Sequence, residues 1–181
     1  MSGSEPTGTS ATAGTVRTER LRLVPIAPEH GDELYALHLD PAVAEWWDVS
    51  WTREDAAGHA ARFAAGWRDD GVSKWMAYLR DSGELVGRGG ITRIWLDGAH
   101  RYEVGWALFG QHWGRGYATE IGRASLRFAF DELHVDEVVA FTEPHNTRSR
   151  AVMERLGMTY RRDIVHDGYD FVLYDVCPPA G

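Results

Sequence analysis

The stretch Ala107 to Glu120, ALFGQHWGRGYATE, joins a strand end to a strong helix start through a glycine-rich loop. Few arrangements place such a constraint on a fold. A glycine loop at a helix N-terminus presents backbone N–H groups that have no intrahelical partner, and the helix dipole adds partial positive charge there. Together these make a site for a pyrophosphate. Gly114 and Gly116 let a phosphate approach the backbone closely because no Cβ intervenes. GRGYAT lacks the Gly-Lys-Ser/Thr of a nucleotide triphosphatase and the third glycine of the dinucleotide fingerprint. A dinucleotide fold would also carry this loop after its first strand, whereas several strand candidates precede it here. On its own the loop is equally a tight strand-to-helix turn.

The flanking pattern predicts the rest of the fold. Leu21 and Leu23 alternate with Arg22 and Val24 at a strand-like period of two. A helical stretch follows Pro28, and residues 41–71 read as helical and Trp-rich, with Thr52 and Asp55 as an N-terminal cap. SKWMAYLR and ELVGRGGITRIWL are strands joined by the turn Asp81-Ser82-Gly83, and Asp97-Gly98 turns into RYEVGWALF. A helix spans 117–133, a strand 136–142, a helix 146–156, and two strands lie near 159–165 and 169–176. The order β-α-α-β-β-β-α-β-α-β-β makes an α/β (α+β) domain over residues 17–177. Residues 1–16 and 178–181 read as tails, the first too poor in large apolar groups to offset its ordering entropy.

Composition narrows the partners. With 27 acidic and 19 basic side chains the net charge is −8, which argues against nucleic acid and suits a cationic acceptor or simply a soluble surface. The lone cysteine, Cys177, permits no intrachain disulfide and fits a reducing interior. No run approaches a membrane span, and the N-terminus does not read as a secretory signal. The expected setting is the cytoplasm. The eight histidines lack the spacing of a zinc site, so no metal is expected.

The wider segment EVGWALFGQHWGRGYATEIGRASLRFAFDELHVDEVVAFTEPHNTRSRAVMERLGM resembles the core of the GNAT superfamily of N-acetyltransferases. It is most similar to the branch of ribosomal-protein N-terminal (alanine/serine) acetyltransferases. TERLRLVPI and DPAV also look like that branch's opening, so the resemblance runs from about Thr18 to Val176. It implies a mixed, mostly antiparallel central sheet of about seven strands flanked by helices, with a strand fork that holds CoA. It implies acetyl-CoA as co-substrate, its pyrophosphate bound by backbone N–H groups of Gly114, Arg115, Gly116, Tyr117, Ala118 and Thr119. The family's Gln/Arg-x-x-Gly-x-Gly/Ala pattern fits as Gln111-x-x-Gly114-x-Gly116 or as Trp113-x-x-Gly116-x-Ala118. The second is preferred because it starts the helix at Tyr117. The resemblance further implies that the backbone of Trp106, Ala107 and Leu108 pairs with the pantetheine arm and polarises the acetyl carbonyl, and that Asn146 and Ser149 face that arm.

Acetyl transfer to an amine needs a base for the amine proton, a donor for the tetrahedral oxyanion, and at most modest acid help for a thiolate of pKa near ~8.5. Glu103 is the candidate base: its strand precedes the loop, and Gly105 and Ala107 leave room on its face. The same residue also reads as a salt-bridged strand carboxylate. Asn146 is a helix N-cap as well as a CoA contact. Met153 stands where many GNAT enzymes carry a tyrosine acid, which leaves Ser149 or water to protonate the sulfur. His145 is an alternative base or a loop histidine. For the acceptor, Trp46 and Trp47 supply an apolar wall, and Glu103 and Asp167 attract the amine; the same tryptophans also read as packing. The expected acceptor is a peptide or protein N-terminal amine, with a small-molecule amine such as an antibiotic as the alternative and a non-catalytic acyl-CoA-binding module as the rival. A homodimer is left open.

Overall fold

A computed structural model describes residues 14–46 and 50–178; Trp47, the tail residues 1–13 and the last residues 179–181 lie outside the described residues. One eight-stranded sheet runs through the chain in the order β1-β2-β3-β4-β5-β6-β8-β7. These strands are β1 Val16–Arg17, β2 Leu21–Pro25, β3 Lys74–Leu79, β4 Leu85–Leu96, β5 Ala99–Leu108, β6 Val138–Thr142, β7 Thr159–His166 and β8 Tyr169–Val176. The helices are α1 Gly31–Leu39, α2 Pro41–Ala44, α3 Arg53–Asp69, α4 Tyr117–Arg127 and α5 Thr147–Arg155. None among the described residues is long and apolar enough to cross a membrane.

The sheet is covered on both faces, and β3 shows why. Its residues alternate sides: Trp75 and Ala77 join Leu21, Leu23 and Val86 under Tyr117, Ile121 and Ala124 of α4. Met76 and Tyr78 join Ile26 under Leu34 of α1 and Ala56, Ala60 and Phe63 of α3. A strand buried on both faces reads as a nearly unbroken apolar run, as KWMAYL does. Where α4 crosses β4, a Cβ on Gly89 would sit 2.5 Å from Ile121 Cγ2, so only glycine allows this approach.

All ladders are antiparallel except β5 with β6, which is parallel and registers at a single pair, Glu103 with Val139. Beyond Glu103, β5 continues to Leu108 against β4 alone. The two strands splay into a fork whose vertex is Glu103.

Three boundaries differ from the sequence expectation. The expected seven strands become eight because Val16 pairs with Leu23 and Arg17 with Arg22; Gly14 is also held, its carbonyl accepting from Trp75 Nε1 at 2.8 Å. The region 41–71 divides into two helices because it contains two start signals. Asp40 caps the first by accepting from Ala42 N at 2.9 Å, and Thr52 with Asp55 closes a reciprocal capping box on the second. The helix expected over 117–133 leaves α-geometry at Arg127 and finishes as a π turn, Phe128–Glu132.

Candidate active site

The fork opens into a cleft of about 2210 Å³ that runs from α3 across β5 to the α4 and α5 N-termini. That exceeds an ordinary small-ligand pocket of roughly 300–1,000 Å³ and leaves space for two substrates.

At one end lies the glycine loop. Gly116 precedes α4 in the left-handed region (φ 83°), and Gly114 shares that conformation (φ 74°). The N–H groups of Tyr117, Ala118 and Thr119 belong to the first turn of α4 and have no partner within the helix. Their side chains serve differently: Tyr117 and Thr119 are buried in the core. Gly114, Gly116, Tyr117, Ala118 and Thr119 line the cleft, but Arg115 does not. Arg115 is held by its carbonyl, which accepts from Arg20 Nη1 at 2.8 Å. Arg20 also donates from Nε to Glu120 Oε2 at 2.7 Å and stacks over the Tyr117 ring at 4.6 Å. This clamp is not legible in the local sequence, since Arg20 lies about a hundred residues upstream of Glu120.

Trp106, Ala107 and Leu108 form the β5 edge of the fork and line the cleft. The Leu108 carbonyl is already taken, accepting from Trp113 Nε1 at 2.8 Å. Across the fork, Asn146 Oδ1 caps α5 by accepting from Ser149 N at 3.0 Å. Arg148 stacks over Trp113 at 4.5 Å and ties α5 to the loop. Ser149 is half-buried on the cleft wall. Met153 is buried in the core.

Glu103 at the vertex is an ion-paired residue and a cleft residue at once. Its Oε2 accepts from Lys74 Nζ at 2.8 Å and from Thr92 Oγ1 at 3.1 Å. Its Oε1 makes no hydrogen bond to any described residue and extends over Gly105, where a Cβ would lie 2.6 Å from it. Gly105 therefore gives Oε1 its place. Lys74, the chain's single lysine, also donates to Gly90 O at 3.0 Å. Burial pulls its ammonium below the ordinary lysine pKa, and Glu103 opposes that pull. Neither Lys74 nor its neighbour Arg88 was foreseen; a lysine or arginine inside an apolar strand pattern was the available signal.

On the α1–α3 side the wall is a stack. Trp51 lies between His38 at 3.5 Å and His59 at 3.8 Å, all three rings nearly parallel. Burial, followed by the Arg88 and His59 charges, lowers His38 to a pKa of about 2. Burial and the nearby Arg62 and Arg88 lower His59 to about 4. Both rings are neutral at pH 7. Trp46, half-buried, stacks on His145 at 5.3 Å across the mouth of the cleft. Asp167 sits on the exposed β7–β8 turn at the rim, far from burial at 87% side-chain exposure. Among the described residues no group of His, Cys, Asp or Glu side chains is arranged to hold a metal.

Comparison with known proteins places this geometry. A family model described as an acetyltransferase (GNAT) domain matches residues 20–159. The chain is 30% identical over 175 residues to the FsC-acetyl coenzyme A-N(2)-transacetylase of Aspergillus fumigatus, covering 92% of this chain and 71% of that protein. It is 32% identical over 120 residues to the uncharacterised protein YkkB of Bacillus subtilis, covering 66% of this chain and 62% of YkkB. An acetyltransferase structure from Agrobacterium tumefaciens superposes with a TM-score of 0.79 at 30% identity, covering 97% of this chain and 100% of that one.

Proposed function

Because this chain belongs to the GNAT family of acetyl-CoA-dependent N-acetyltransferases, we propose that it moves an acetyl group from acetyl-CoA directly to a primary amine within one ternary complex. The observation that carries this reading is the position of Glu103 at the fork vertex, with Oε1 unbonded over Gly105.

The CoA pyrophosphate lies on the N–H groups around Gly116 and the first turn of α4, where the dipole favours negative charge. The pantetheine arm enters the fork between β5 and the α5 start, and backbone donors near Trp106 and Ala107 polarise the thioester carbonyl. The amine nitrogen attacks the carbonyl carbon, a C–N bond forms, and its proton passes to Glu103 Oε1 directly or through a water. The C–S bond then breaks. The thiolate leaves and takes a proton from water, or from Ser149 as its hydroxyl regains one from solvent. Lys74 holds Oε2 so that Oε1 keeps its aim.

The resemblance favours a peptide or protein amino terminus as acceptor, with Trp46 as an apolar wall and Asp167 at the rim. A small-molecule amine is the second class. A cytoplasmic setting and no resident metal accompany the reading, and a homodimer stays open.

Titration with acetyl-CoA, followed by thiol release across peptides and small amines, tests it. Saturable acetyl-CoA binding that weakens in Gly116→Val, together with acetylation of an amine, supports the reading. Folded protein without acetyl-CoA binding overturns it.

A further inference from the structure

Arg88 sits in the middle of β4, opposite Ala107 of β5, and only 7% of it is exposed. Its Nε donates to His38 Nε2 over a long 3.4 Å, and its guanidinium lies over the Phe63 ring at 5.6 Å. No carboxylate among the described residues lies within ion-pair distance of it. Its terminal nitrogens have no acceptor among the described residues, yet they are not among the fully enclosed unpaired atoms; they open on the cleft, which Arg88 lines.

Four of the carboxylates that line the cleft are otherwise engaged, and Glu45, Glu143, Asp167 and Asp170 are half-buried or exposed. Glu103 is taken by Lys74, Asp55 by Thr52, Asp69 by Arg68 and Asp70 by Arg93. His38 and His59 are neutral and contribute no charge. The cleft floor thus holds two buried cations and one half-buried anion, a surplus of positive charge inside a chain whose net charge is −8. A buried guanidinium with open donors is costly unless an anion arrives to meet it. Arginine's planar fork matches a carboxylate's two oxygens. Burial lowers the Arg88 pKa to about 10 and the Glu103 charge partly opposes that, so the base and this cation serve the same small region.

We propose that Arg88 binds a carboxylate of the amine acceptor, one that lies within a few bonds of the nitrogen to be acetylated. This deepens the acetyltransferase reading and rests on it. Two sources present that chemistry: a free amino acid, through its own carboxylate, and a peptide whose first residue is acidic. Uncharged amines and polyamines lack the group.

Matched pairs that differ only in the carboxylate test the assignment: L-phenylalanine against L-phenylalaninamide, and a peptide beginning with Asp against the same peptide beginning with Asn. Each is titrated into the CoA-loaded protein and assayed for kcat/KM with acetyl-CoA. The acid member of at least one pair is expected to bind and react at least about tenfold better, and the pair that shows it identifies the source. Arg88→Gln should abolish that preference through KM while acetyl-CoA affinity holds. Arg88→Lys, which keeps the charge without the fork, should retain part of the preference. Equal binding within both pairs, no binding by any member, or a preference for polyamines overturns the proposal. Failure of the acetyltransferase reading shows itself differently, as absence of acetyl-CoA binding or of thiol release with every amine.

Discussion

Lys74 Nζ lies 2.8 Å from Glu103 Oε2, joining β3 to β5 across the intervening β4. The pair is nearly closed to solvent, with side-chain exposures of 5% and 15%. Removing one partner leaves a buried charge unmet. Lys74→Met is therefore expected to destabilise the protein by about 3 kcal/mol or more, and Lys74→Met with Glu103→Leu to recover much of that loss. Urea unfolding of the two variants measures both values. Glu103→Gln keeps the shape and should lower kcat on the order of 100-fold with acetyl-CoA affinity unchanged. Unchanged kcat would leave Glu103 as a structural carboxylate only.

The loop clamp makes a prediction of another kind. Arg20 pairs with Glu120 at 2.7 Å, but its side chain is 42% exposed, so the pair is screened and contributes at most about 1 kcal/mol to stability. Its hold on the Arg115 carbonyl and the Tyr117 ring instead fixes the loop that meets CoA. Arg20→Ala should raise the acetyl-CoA dissociation constant roughly fivefold to tenfold, while Tm changes little. An unchanged dissociation constant in the titration would separate the clamp from cofactor binding.

These two residues show what the sequence made legible. The α4 start at Tyr117, the Thr52 cap and the turn at Asp97 follow local rules, and local rules are written in neighbouring residues. Glu103 was visible because Gly105 beside it signals space. Lys74, Arg88 and Arg20 were hidden because their roles depend on which strands lie side by side, and strand order is a non-local property. The split of 41–71 was legible at Thr52 and missed at Asp40, where an Asp-Pro start resembles a loop. Arg115 was carried over by its place in the loop, whereas its direction is set by a residue far away in the chain.

Ser149 sits with its backbone N–H bound to Asn146 and its side chain on the cleft wall. A departing thiolate is stable near its pKa of ~8.5 and needs little help. Ser149→Ala is expected to lower kcat by less than about tenfold, with a smaller deficit above pH 8, where the thiolate leaves unprotonated, than at pH 7 if the hydroxyl delivers the proton. Wild-type turnover across that range would assign the proton to water.

The His38 ring ties catalytic architecture to acid stability. Its Nε2 accepts from Arg88 and its plane stacks on Trp51, an arrangement only the neutral ring supports. The folded pKa is about 2 against an ordinary value of 6.5. Above pH 6.5 neither state binds the proton, and this contribution to stability is complete. As pH falls below 6.5 the unfolded chain takes up a proton that the folded protein refuses, so stability declines by up to about 1.4 kcal/mol per pH unit until the folded pKa is reached. In His38→Gln the amide still accepts from Arg88 but cannot titrate. Urea unfolding free energies measured at pH 6.5, 5.5 and 4.5 should fall less steeply in this variant, by close to one proton's worth of slope. Parallel slopes for the two proteins would mean that the ring is charged in the folded state and that its place against Arg88 is different.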